Sequence, residues 1–372
     1  MCRTRRAAGG LTLALGWLAL ASASPAIAGD DPQRGQQWNL DQIGATAAWE
    51  KSTGAGITIG IVDSGVDASH PDLAGKIDAM ATCLRGTCRE GSAPDGDGHG
   101  TAVSGIAAAA TGNGSGIAGV APDARLVVAK ALDEDGTGYT EDINNAIQWV
   151  VDHGARVVNL SLGDPDLVVT SRVGTPMKAA IEYAWSRGAI PVLASGNYER
   201  GVTGGSANYG SLDAVVVGAT DRDGNITSYS TSLGNAKWGL VAPGGNGDGR
   251  GQDVPAPLPG GRYAWLAGTS MAAPHVSGAL AVLLAQGLSP KAAVERLLAT
   301  VDTSVGCGEG CKGRLNLESA ATSNSAVEAQ GVVPPSDASA ADLPPAVVAL
   351  AVMLAALAAA GSVGAWWWLR EP

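Results

Sequence analysis

Residues 268–278 read GTSMAAPHVSG, and they place Ser270 in the first turn of an apolar helix predicted to run to about Gln286, with Gly287 as its stop. Pro274 is tolerated so close to the start because the first turn has no upstream carbonyl partner to lose. A hydroxyl in that turn lies beside backbone N–H groups that have no helical acceptor and can hold a developing oxyanion. A serine there can also simply cap the helix. Its partners decide between the two.

A serine hydroxyl becomes a nucleophile when a base takes its proton and a carboxylate orients that base. The chain has only 4 histidines, so the search is short. His99 lies in DGDGHGTAVSG (Asp95–Gly105), a glycine-rich approach to a small-residue helix predicted from Val103 to about Ala110. Asp63 lies in ITIGIVDSGVD (Ile57–Asp67), at the end of a run apolar enough for a central buried strand. Open α/β sheets hold their ligands at such carboxyl ends. The other three histidines read as structural. His70 sits in HPDL, His275 points away from Ser270 along the helix, and His153 complements the dipole at the end of a helix over 141–153.

The blocks IVDSGVD, GHGTAVSG and GTSMAAPHVSG, in that order, resemble those of the subtilisin-like serine proteases, the subtilases. The similarity runs from about Gln37 to Ser304. It implies an acyl-enzyme endopeptidase in which Asp63 orients the base, His99 acts as base and then acid, and Ser270 attacks. Asn197, in PVLASGN (Pro191–Asn197), matches the family's oxyanion donor. In VVNLSLG (Val157–Gly163), the resemblance has Ser161, Leu162 and Gly163 pair with substrate backbone and wall the specificity pocket. It also implies a protein or peptide substrate and no cofactor for the chemistry. A structural calcium site would draw oxygens from Gln37, Asp72 and the TGNGSG loop around Asn113, with ordinary turn residues as the competing reading.

Apolar strands at 57–62, 125–130, 155–161, 189–194, 214–219 and 238–242 alternate with amphipathic helices. The helix over 141–153 has Thr140 as cap and Gly154 as stop; another spans 176–187 before Gly188, and Ser289-Pro290 opens a third to about Thr300. This alternation predicts a doubly wound α/β fold, a mostly parallel sheet with helices on both faces. A net charge of −11 with no internal basic cluster argues against nucleic acid as a partner. The acid-rich stretches Asp133–Asp135 and Asp248–Asp253 read as solvated turns.

The flanks read differently. Residues 1–28 have the charged, apolar and small-residue regions of a signal peptide. The catalytic domain is expected over 29–319, a flexible tether over 320–345, a transmembrane helix over 346–369 and a short tail over 370–372. That layout predicts a single-pass cell-membrane protein whose catalytic domain is extracytoplasmic. Only about 28 residues separate Ala28 from the first core strand, too few for the propeptide domain usual in secreted subtilases. With the C-terminal anchor, this resembles the mycosins of type VII secretion systems. An alternative function is therefore a non-catalytic part of a membrane secretion complex. Cys83/Cys88 and Cys307/Cys311 form two close pairs, for which local disulfides are favoured over zinc, no histidine falling at ligand spacing.

Overall fold

A computed structural model describes residues 31–162, 177–197, 209 and 212–323. The proposed signal peptide, Gly163, most of the tether and the 346–369 segment lie outside the described residues. The apolar runs become strands β1 (Thr58–Asp63), β4 (Arg125–Lys130), β5 (Val157–Leu160), β6 (Ile190–Ala194), β7 (Val215–Thr220) and β8 (Trp238–Pro243). They pair in parallel in one nine-stranded sheet, ordered β11-β8-β7-β6-β5-β1-β4-β2-β3. Here β2 is Ile77–Leu84, β3 Thr87–Glu90 and β11 Cys311–Arg314, and only the β2–β3 hairpin is antiparallel. A separate ribbon pairs β9 (Val254–Leu258) with β10 (Arg262–Leu266).

Each central strand feeds two cores, which is why these runs are apolar throughout rather than alternating. Ile59 and Ile61 of β1, Leu126 and Val128 of β4, and Val215 and Val217 of β7 face one core. That core also takes α1 (Trp38–Gln42), α2 (Ala45–Trp49), α3 (His99–Ala108), α6 (Thr269–Ala285), α7 (Pro290–Ala299) and α8 (Leu317–Thr322). Val62, Val127 and Val216 face the other, covered by α4 (Thr140–Asp152) and α5 (Lys178–Ser186). The fold is thus mixed α/β with a large, mostly parallel sheet between two helical layers.

Several helix ends follow local chemistry and others depart from it. Ser289 caps α7 by accepting from the Ala292 N–H, and Gly154, Gly188 and Gly287 follow their helices in the left-handed region, as expected. Thr140 does not cap α4: it is the first helical residue, and Tyr139 stands before it without a side-chain bond. Asp142, in the first turn, instead accepts from the Arg85 N–H (3.1 Å) and the Gly86 N–H (2.6 Å) of the β2–β3 turn. Helix α3 starts at His99 rather than Val103. Helix α8 runs to Thr322 with Ala320 and Ala321 buried, so the folded part of the chain extends past residue 319. Both local cysteine pairs are bridged, Cys83–Cys88 across the hairpin and Cys307–Cys311 ahead of β11.

His275 is structural, as its sequence position suggested. Its Nδ1–H donates to the Met271 carbonyl (2.8 Å) and its Nε2 accepts from Asn39 Nδ2 (2.8 Å), tying α1 to α6. Complete burial pushes its pKa down to about 4, because an imidazolium there would lose its hydration. The fold therefore holds it neutral, while the unfolded chain takes up a proton below the ordinary value of 6.5. The contribution of His275 to stability is full above pH 6.5 and falls as pH drops toward 4, a loss of about 3 kcal/mol. Denaturant melts at pH 7, 5.5 and 4.5 should show this slope, and His275→Gln should flatten it.

Candidate active site

The carboxyl ends of three adjacent strands converge here, with β1 delivering Asp63, β5 leading to Ser161 and Leu162, and β6 leading to Asn197. The chain leaves β1 toward β4 on one side of it and returns through β5 on the other, so Asp63 lies where strand order reverses. Two helix N-termini on the same core face complete the site: His99 opens α3 and Ser270 is the second residue of α6.

Asp63 is fully buried; its Oδ1 accepts from the Ser64 N–H (2.7 Å) and from His99 Nδ1–H (2.7 Å). Its Oδ2 is buried without a hydrogen-bond partner among the described residues. The His99 side chain is 27% exposed, and its Nε2 edge makes no hydrogen bond among the described residues. Burial, the largest influence, disfavours the imidazolium, but the charge and hydrogen bond of Asp63, helped by Asp97 and Asp95, outweigh it. The His99 pKa therefore stands above 6.5.

The loop before His99 is held by residues the sequence reading passed over. Asp95 Oδ1 accepts from Ser64 Oγ (2.8 Å) and the Gly98 N–H (2.7 Å), and its Oδ2 accepts from the Thr101 N–H (2.8 Å). Ser64 Oγ in turn accepts from the Gly100 N–H (2.9 Å). A Cβ at Gly100 would sit 2.1 Å from the Gly65 carbonyl oxygen, so glycine is what lets α3 approach the Asp63 turn. Lys130, the ladder partner of Asp63, is buried and donates to the Ser64 carbonyl (2.6 Å). The one local signal was Asp95 itself, an acid a few residues ahead of a helix N-terminus.

Ser270 is 7% exposed, and its hydroxyl donates to the Ser161 carbonyl (3.1 Å) rather than to His99. Asn197 Oδ1 accepts from both the N–H (2.9 Å) and hydroxyl (3.0 Å) of Thr269. That fixes the amide so that Nδ2 is left to donate, beside a first-turn Ser270 N–H. Leu162 turns its side chain into the α4/α5 core and offers the cleft only backbone. A carboxylate-oriented imidazole, a hydroxyl at a helix N-terminus and an outward amide donor are the parts needed for acyl transfer.

The calcium expectation meets a different arrangement. Gln37 spends its amide on Ala118, donating to its carbonyl (2.7 Å) and accepting from its N–H (2.9 Å). Asn113 uses Oδ1 on the Ser115 N–H (2.7 Å) and presents Nδ2, a donor, to Asp72 Oδ1 (3.5 Å). Asp72 Oδ2 accepts from the Ile117 N–H (3.1 Å), and the Tyr263 side chain also hydrogen-bonds to this carboxylate. Asp31 ties down the same loop through Thr111 Oγ1 (2.8 Å) and the Gly112 N–H (3.0 Å). Donors occupy the places where a cation would need acceptors. With their amides engaged in this way, Gln37 and Asn113 do not fit a calcium cage. The stretch 248–253 also differs from a solvated turn: Asp253 is buried and accepts from the N–H groups of Asn246, Gly247 and Gly249 (3.0, 2.8 and 2.8 Å).

Comparison with known proteins agrees with this geometry. The profile of the subtilase family, Peptidase S8, matches residues 54–330. Thermitase of Thermoactinomyces vulgaris is 37% identical over 293 residues, covering 76% of this chain and 94% of thermitase. The thermophilic serine proteinase of Bacillus sp. strain AK1 is 36% identical over 299 residues, covering 79% of this chain and 69% of its own. A solved protease structure from Pseudoalteromonas arctica PAMC 21717 superposes with a TM-score of 0.68 at 26% identity, over 78% of this chain and 98% of that one. With more than half its length inside the family profile, this chain belongs to the subtilases and is a serine-type endopeptidase.

Proposed function

We propose that this endopeptidase works through Asp63, His99 and Ser270, with Asn197 and the Ser270 N–H as oxyanion donors. The observation that carries the reading is the 2.7 Å bond from His99 Nδ1–H to the buried Asp63. It fixes the tautomer, so Nε2 is the unprotonated nitrogen that can accept. Rotation about the Ser270 Cα–Cβ bond turns its hydroxyl from the Ser161 carbonyl to that nitrogen. Ser270 Oγ then attacks the scissile carbonyl as its proton passes to His99. His99 gives the proton to the leaving amine, and water hydrolyses the acyl-enzyme by the same relay. The tetrahedral oxyanion is stabilised by Asn197 Nδ2–H and the first-turn Ser270 N–H. No metal or organic cofactor takes part. A fluorophosphonate probe should label the wild-type chain and not Ser270→Ala; an unlabelled wild type overturns the reading.

The substrates we infer are exported proteins cut close to a membrane. Among the described residues no single helix is long and apolar enough to span a bilayer. The anchor rests on residues 346–369, which carry no charged side chain over 24 positions. Two disulfides favour an oxidising compartment for the catalytic domain. Carbonate-resistant membrane association of the full chain, lost on truncation after Ser323, checks this; a carbonate-extractable full chain rejects it.

A further inference from the structure

Strand β5 is buried on both faces, yet its sequence Val-Val-Asn-Leu puts a polar amide in the middle, and Asn159 has no exposed surface. A buried amide is costly unless its hydrogen bonds are made. Those bonds lead to Ser270. Ser277 Oγ–H, on α6, donates to Asn159 Oδ1 (2.8 Å), which sets the orientation of the amide. Asn159 Nδ2–H donates to Ser161 Oγ (2.9 Å). Having accepted there, the Ser161 hydroxyl donates its own proton to the main-chain carbonyl of Ser270 (2.8 Å). The chain starts and ends on α6 and crosses β5 between. Its members are 0% (Asn159), 2% (Ser161), 7% (Ser270) and 0% (Ser277) exposed, so solvent does not compete.

The Ser270 carbonyl needs an outside donor for a reason written in the sequence. In a regular helix the carbonyl of residue 270 accepts from the N–H of residue 274. Residue 274 is Pro274, which lies in the second turn of α6 rather than the first, so contrary to the sequence expectation it does have an upstream carbonyl to lose, and proline has no N–H. The nucleophile's own carbonyl is thereby orphaned within its helix, and the Ser161 hydroxyl supplies the missing donor.

We propose that Asn159 is a positioning residue for Ser270: through Ser161 it pins the nucleophile's main chain to the end of β5, compensating for the donor that Pro274 removes. The proposal rests on Ser270 being the nucleophile. Asn159 touches neither substrate nor the reacting oxygen. It acts by keeping the first turn of α6 in register with the strand end that carries Ser161. An error of about 1 Å in such a position costs on the order of 100-fold in rate, which gives the network its leverage.

The test uses the whole chain with a peptide anilide that the wild type cleaves, together with the rate of fluorophosphonate labelling. Ser161→Ala, which removes one buried oxygen, should lower kcat ~30-fold with KM within ~2-fold, and labelling should slow in parallel. Asn159→Ala should do the same. Pro274→Ala restores an amide donor to the Ser270 carbonyl, so in that background Ser161→Ala should cost no more than ~3-fold. A purely structural role would not produce this rescue. Wild-type kcat in both Ser161→Ala and Asn159→Ala, or an equal loss with and without Pro274→Ala, overturns the proposal. If thermal melts show that Asn159→Ala fails to fold, the Ser161/Pro274 pair decides alone. A wild type that resists the probe removes the protease reading and this inference with it; a labelled wild type with indifferent variants removes only the inference.

Discussion

Ser270→Ala is expected to lower kcat/KM for peptide hydrolysis by ~10^5-fold, the scale on which serine proteases lose rate when the nucleophile is removed. The chemical reason is that, among the described residues, no other hydroxyl meets the same surroundings. Ser161 and Ser277 are buried, and both spend their protons within the α6–β5 network. Residual turnover should come from the oxyanion donors and substrate binding alone. The fold should survive, because the substitution removes only one hydrogen bond, to the Ser161 carbonyl at 3.1 Å. A melting temperature within a few degrees of wild type, with activity gone, is therefore the expected pair of results. Activity retained within ~10-fold would mean that the nucleophile lies elsewhere.

His99→Ala should cost ~10^4-fold or more, since without a base the hydroxyl keeps its proton. The wild-type pH profile carries finer information. The base works only when neutral, so activity rises with pH as His99 loses its proton. Asp63, Asp97 and Asp95 together hold the His99 pKa above 6.5 against the opposing effect of burial. The acid limb of kcat/KM should therefore lie on the alkaline side of an ordinary histidine. Asp97 is exposed and makes its one side-chain bond to the His99 N–H (3.0 Å), so Asp97→Asn removes charge with little rearrangement. It should move the acid limb toward lower pH. A limb that stays put, or a profile flat from about pH 5 to 9, would show that His99 does not govern the rate.

The ease with which some features were read has a physical basis. Strands β1, β4 and β5 to β8 were legible because burial on both faces demands continuous apolar runs. Strands β9 and β10 were not. β9 reads Val-Pro-Ala-Pro-Leu, and its two prolines suit an edge ribbon while removing the usual strand signal. β2 and β3 lie at the sheet edge with mixed burial, so their composition resembles that of a loop. Asp63, His99 and Ser270 stood out because each ends an apolar run or opens a small-residue helix. Asn159 and Asp95 were passed over because their importance lies in what they touch, not in their neighbours along the chain.

Read alone, the chain gave up its six central strands, its longer helices with the glycines that stop them, and the three blocks that carry a carboxylate, an imidazole and a hydroxyl. Those are local properties, set by period, propensity and backbone freedom over a few residues. Only the tertiary structure decided the partners. Sheet order placed Asp63 against His99 across 36 residues and Ser161 against Ser270 across 109. It gave Asp142 to a hairpin turn, Gln37 to Ala118, and the Asp72 carboxylate to the Ile117 N–H. A side chain's hydrogen bonds last about 3 Å in space and can span any distance in sequence, so no local reading reaches them.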